Sequence, residues 1–119
     1  MIDISSIMAD RAEKVTGSDP ELTVRYSLYT DDRREWGILH ILDPMERVIG
    51  LEFFESEDSW TRPNAVNDYN MAVHEGYPVS VIVPDQVFSR FIKDAHSRGG
   101  EGFSTYLFSE MGLAQRIRA

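Results

Sequence analysis

Residues 36–56 read WGILHILDPMERVIGLEFFES, two runs rich in Ile, Leu, Val and Phe on either side of Asp43-Pro44-Met45-Glu46. Asp in the first position and Pro in the second are what a type I turn prefers: the carboxylate accepts nearby backbone N–H groups and the Pro ring presets φ. The stretch therefore predicts a hairpin. With Asp43 opposite Glu46, the register runs Ile41 with Val48, Leu39 with Gly50, Gly37 with Glu52 and Glu35 with Phe54, all on one face because cross-strand neighbours point the same way.

Upstream, residues 22–30 (LTVRYSLYT) alternate apolar and polar side chains with the period of two that suits a half-buried strand. The charged DDRRE that follows reads as a connection. Ahead of that strand, Ile4, Ile7, Met8 and Val15 recur near helical spacing between Asp3, a plausible N-cap, and Gly17, so residues 4–16 are expected to be helical. Downstream, AVNDYNMAVHEG predicts a helix closed by Gly76, and PVSVIVP is a short β-branched run of the kind found in central parallel strands. Asp85 is placed to cap a helix over VFSRFIKDAHSRGG, FSTYLF reads as a fifth strand, and SEMGLAQRIRA as a short tail that could be helical. The order is α-β-β-β-α-β-α-β. A crossover from strand three through a helix to strand four places those strands parallel. The expected class is α/β (α+β), one domain over residues 1–119, with a mixed sheet flanked by helices.

Composition narrows the function. The chain is 42% hydrophobic and 27% charged, and twelve basic against twenty acidic residues leave a net charge of −8. Binding to bare phosphate backbone rests on Lys and Arg, so a free-standing nucleic-acid binder is disfavoured. Without cysteine there is no disulfide framework, zinc ribbon or thiol catalysis. His40, His74 and His96 lack the spacing of a zinc site. No serine sits in a nucleophile elbow, and Gly99, Gly100 and Gly102 do not form a phosphate loop. The residues carry no cofactor fingerprint, and none is expected from them. No apolar run reaches the ~20 residues of a membrane span, and the first residues lack a signal-peptide pattern, so a cytoplasmic protein with no membrane partner is expected.

The element order resembles the core of the restriction-endonuclease-like, or PD-(D/E)XK, nuclease superfamily, with RVIGLEFF in the place of the strand that bears the (D/E)XK motif. The resemblance spans Ile4 to about Gly99. It places the family's glutamate at Glu52, its lysine at Phe54 and its aspartate near Trp36 or Gly37, so one of three positions keeps its chemistry. In such a site two carboxylates hold Mg²⁺, which polarises the phosphate, while the lysine stabilises developing charge. The resemblance thus implies a domain that has lost catalysis and serves as a protein-binding or scaffolding module. The alternative it implies is a divergent Mg²⁺- or Mn²⁺-dependent nuclease in which Glu52 and Glu35 hold the ion and Arg62 replaces the lysine. A second alternative is a small-ligand-binding domain with a cleft at the ends of strands three and four.

Glu52 stands in an otherwise apolar strand and needs a partner, either a metal or an arginine such as Arg33 or Arg34. Residues 31–58 hold nine acids against three arginines, most of the chain's net charge. Trp60, in the polar segment SEDSWTRP, is a candidate interface anchor, as are Tyr106 and Phe108 of strand five. The apolar content of strand five and the tail predicts a homodimer through that edge, with Arg116 and Arg118 meeting a neighbour's acidic hairpin.

Overall fold

The computed structural model describes residues 1–114 and Ile117. Along it run α1 (Ile4–Ser18), β1 (Thr23–Asp31), β2 (Arg34–Leu42), β3 (Val48–Glu55), α2 (Ala65–His74), β4 (Val79–Val83), α3 (Phe88–Ser97) and β5 (Ser104–Leu107). The five strands make one mixed sheet in the order β1-β2-β3-β4-β5. The first two pairings are antiparallel and the last two parallel, as the crossovers through α2 and α3 require.

Each face of the sheet carries its own core. On one side Ile4, Ile7 and Met8 of α1 pack on Leu39, Phe54 and Ile82, joined by Phe108 and Leu113. On the other, Tyr69 and Phe91 from α2 and α3 pack on Phe53, Val81 and Val83. The almost continuously apolar β4 is explained by its place between two strands and two helical layers.

The register of the central hairpin differs from the simple turn reading. Asp43 pairs through its N–H with the carbonyl of Arg47, and Glu46 takes a left-handed φ of 62°, which adds one residue to the loop. A bulge at Ile49 then adds a second, between the pairs Ile41–Gly50 and Leu42–Val48. Each shift alone would turn every following side chain to the opposite face. Together they cancel in parity, so Gly37, Leu39, Glu52 and Phe54 share a face as expected, but Glu52 lies opposite Leu39 and Gly37 opposite Phe54. Asp43 does organise this turn, accepting from the N–H groups of Met45 and Arg47, both at 2.9 Å. Those bonds, that of Arg47 foremost, hold its carboxyl below the usual range.

Three further expectations change. DDRRE is not a loose connection: Asp32 and Arg33, with φ of 48° and 70°, form a two-residue turn that pairs β1 with β2 along its whole length. Asp32 suits the first position of such a turn, but Arg33 is not the Gly that usually follows it, so the signal in sequence is weak. Gly17 lies inside α1, which ends only at Ser18, where the N–H of Asp19 bonds to the carbonyl of Val15. Asp85 opens a single 3₁₀ turn ahead of α3 and accepts from the N–H of Ser109 instead of capping the helix.

Candidate functional site

The position of α1 decides the fate of Glu52. Ile4, Met8 and Val15 mark the helix stripe that faces the sheet, and at the intervening position on that stripe stands Arg11. Glu52 projects from β3 toward the same side. The two meet as a fork, Arg11 Nε to Glu52 Oε1 at 2.9 Å and Nη2 to Oε2 at 2.7 Å. Both carboxylate oxygens are engaged, and Glu52 is only 6% exposed. Its partner is therefore Arg11, not Arg33 or Arg34. A bidentate guanidinium fits a carboxylate better than a solvated ion would here, because it meets both oxygens and brings its own charge into a half-buried site.

Glu35 is on the same face but does not reach Glu52. It lies opposite Thr30, while Glu52 lies opposite Leu39, four residues further along β2. At a strand rise of ~3.3 Å that is about 13 Å. Phe54, where the resemblance places a lysine, is fully buried in the α1-side core. Among the described residues no group of three or more His, Asp or Glu side chains could hold a metal ion. The residues at the (D/E)XK position therefore do not fit a divalent cation.

The opposite face holds a second carboxylate that the sequence pattern does not single out. Glu55, the last residue of β3, is fully buried. It receives the Ser59 hydroxyl at 2.7 Å, the Tyr69 hydroxyl at 2.6 Å and both terminal nitrogens of Arg62. Burial pushes the Tyr69 hydroxyl well above its ordinary pKa, and the negative Glu55 beside it adds to that. Burial works against the charge on Arg62, yet the Glu55 carboxylate outweighs it and raises the Arg62 pKa. This network ties the chain from 55 to 62 onto α2. Arg62 thus acts as the counter-ion of Glu55 on the face opposite Glu52, and does not stand beside Glu52 in the place of the lysine.

Trp60 belongs to that folded segment. Its indole N–H donates to the carbonyl of Glu57 at 2.9 Å and its ring meets Phe91 edge-on at 6.1 Å, so it is a core residue and not an exposed anchor. A polar neighbourhood in sequence hid this, because a 3₁₀ turn at Ser59–Thr61 folds the tryptophan inward. Phe108 is likewise fully buried and Tyr106 half-buried, packed in the α1-side core. Arg116 and Arg118 lie outside the described residues.

Arg62 also connects the buried network to the surface. Its guanidinium lies 3.9 Å from the centre of the Trp36 ring, and Trp36 stacks on Tyr29 at 5.9 Å and 19°. Tyr29 lies on β1, the outer strand of the sheet. A ladder of planar groups thus runs from the Glu55 carboxylate to the sheet edge.

Strand β1 is the open margin. Eight of its nine residues are exposed, including Tyr26, Leu28 and Tyr29, each 42% exposed. Its alternation is that of a half-buried strand, but only Val24 is partly buried, packed against the α1-side core. No protein-family model and no curated protein matches this chain. No helix among the described residues is long and apolar enough to cross a membrane.

Proposed function

We propose that this chain is a non-catalytic, restriction-endonuclease-like domain that works as a protein-binding or scaffolding module. The order α-β-β-β-α-β and the parallel pairing of β3 with β4 support the likeness to that superfamily. The observation that carries the loss of catalysis is the fork from Arg11 to Glu52. The one carboxylate retained at the motif neutralises a helix arginine, and the neighbouring lysine position is a core phenylalanine. Nuclease chemistry of this kind needs several carboxylates grouped around a metal, and the single carboxylate at that place is held by Arg11. What the fold leaves available is the β1 margin, a row of backbone groups flanked by aromatic and aliphatic side chains, which is the composition of a protein-binding edge.

The test is incubation of the purified protein with Mg²⁺ or Mn²⁺ and plasmid, linear or branched DNA. No nicking is expected at any metal concentration. Nicking that persists through purification and vanishes in Glu52→Ala would overturn the reading.

A further inference from the structure

We propose that the β1 edge pairs antiparallel with β1 of a second copy, centred on Leu28, so that the two sheets join into one; this names the partner of the margin described above and rests on that reading.

The hydrogen-bonding phase of β1 permits it. Asp31 and Arg34 flank the two-residue turn and exchange bonds with each other, so the inward-bonding residues alternate back along the strand as Tyr29, Ser27 and Arg25. The N–H and C=O groups of Val24, Tyr26, Leu28 and Thr30 therefore point away from the sheet. A two-fold axis at Leu28 makes Leu28 face Leu28 of the second copy, with both N–H groups donating across the axis. Tyr26 then pairs with Thr30 on either side.

Side chains select this register. On one face Arg25 stands opposite Asp31 of the second copy, twice by symmetry, at non-hydrogen-bonded positions where side chains approach most closely. Within one chain the ion pairs these two groups make are long, Arg25 with Glu46 at 3.4 Å and Asp31 with Arg34 at 3.6 Å. The incoming Arg25 also lies diagonal to Tyr29, so it continues the ladder of Tyr29, Trp36 and Arg62. On the other face Leu28 and Tyr26 of both copies form one strip, covering side chains that are 42% exposed in the single chain.

Neighbouring registers lose these matches. Centring on Ser27 puts Arg25 against Tyr29 and leaves Asp31 against Thr23, while centring on Tyr29 sets Arg25 against Arg33. The strand itself carries one Arg and one Asp in a chain of net charge −8, so the seam is neutral where most of the surface is negative. The other edge, β5, is only four residues long and commits Tyr106 to its own core.

The experiment is sedimentation of the full chain from micromolar to submillimolar concentration, with amide exchange by NMR. A dimer is expected, with added protection at the amides of Tyr26, Leu28 and Thr30. Arg25→Asp and Asp31→Arg should each weaken it about tenfold or more, because like charges then face each other. Mixing the two variants should restore association, since the two substituted side chains then face each other with opposite charges while the native Arg25 and Asp31 still meet across the axis. A wild-type monomer throughout the range overturns the inference, as does a dimer that neither substitution weakens. The DNA assay separates this from the broader reading. A monomer that leaves DNA intact removes only the self-pairing, whereas Glu52-dependent nicking removes the module reading whatever the mass.

Discussion

Arg11 of α1 and Glu52 of β3, 41 residues apart in sequence, meet as a two-pronged ion pair with N···O distances of 2.9 and 2.7 Å. The pair locks the first helix to the centre of the sheet, at the residue where the resemblance to the restriction-endonuclease-like superfamily would place a metal ligand. Removing the guanidinium strands a carboxylate that is nearly out of water. Arg11→Ala is therefore expected to cost about 1–3 kcal/mol in urea denaturation. Replacing both partners with leucine should recover most of that loss, because no charge is then left unpaired. A double variant no more stable than Arg11→Ala would contradict this account.

Glu55 offers a larger effect. It is fully buried and neutralises Arg62, so Glu55→Gln leaves a guanidinium in the core without its counter-charge. The expected loss is about 3–5 kcal/mol. Tyr69→Phe removes one donor to the same carboxylate and should cost a smaller ~1–2 kcal/mol. Because Tyr69 donates to the very carboxylate that Glu55→Gln removes, the double variant should fall short of the sum of the two, which a denaturant-based mutant cycle reads directly.

Gly37 is required by packing and not by its backbone angle. A methyl group there would collide with the Sδ and Cε of Met8, a fully buried side chain. Gly37→Ala should destabilise by about 1–3 kcal/mol through overpacking. In a Met8→Ala background the same substitution enters vacated space, and its cost should disappear or change sign. An equal cost in both backgrounds would place the strain elsewhere.

His40 provides a pH-dependent contribution. It lies on β2 opposite Arg25, and partial burial lowers its pKa from 6.5. The unfolded chain then binds a proton at His40 more readily than the folded one, so stability rises with pH across this window. It should be complete above pH 6.5 and decline as the pH falls below that value toward the folded pKa. The stability of wild type relative to His40→Gln, followed by thermal melts from about pH 7.5 to about pH 5, is expected to fall in that direction. A difference independent of pH would show that His40 titrates alike in both states.

Local pattern was sufficient for the element order, because each element announces itself over a few residues. Alternation marked β1, β-branched density marked β4, and the 4–7–8–15 spacing marked α1. The parity of the central hairpin was also legible, as Leu39 of β2 and Glu52 of β3 share a face in any register displaced by an even number. Its register was not. Glu46 takes a left-handed conformation and a bulge falls at Ile49, and no Gly or Asn at either position announces them. The same holds for the site. Composition placed an acid within an apolar strand and required it to have a partner, but only the approach of α1 to β3 selected Arg11. Sequence likewise put Trp60 among polar neighbours, and the turn at Ser59–Thr61 carried it inside. Burial and pairing are properties of what lies across from a residue, and across a sheet that neighbour is dozens of positions away.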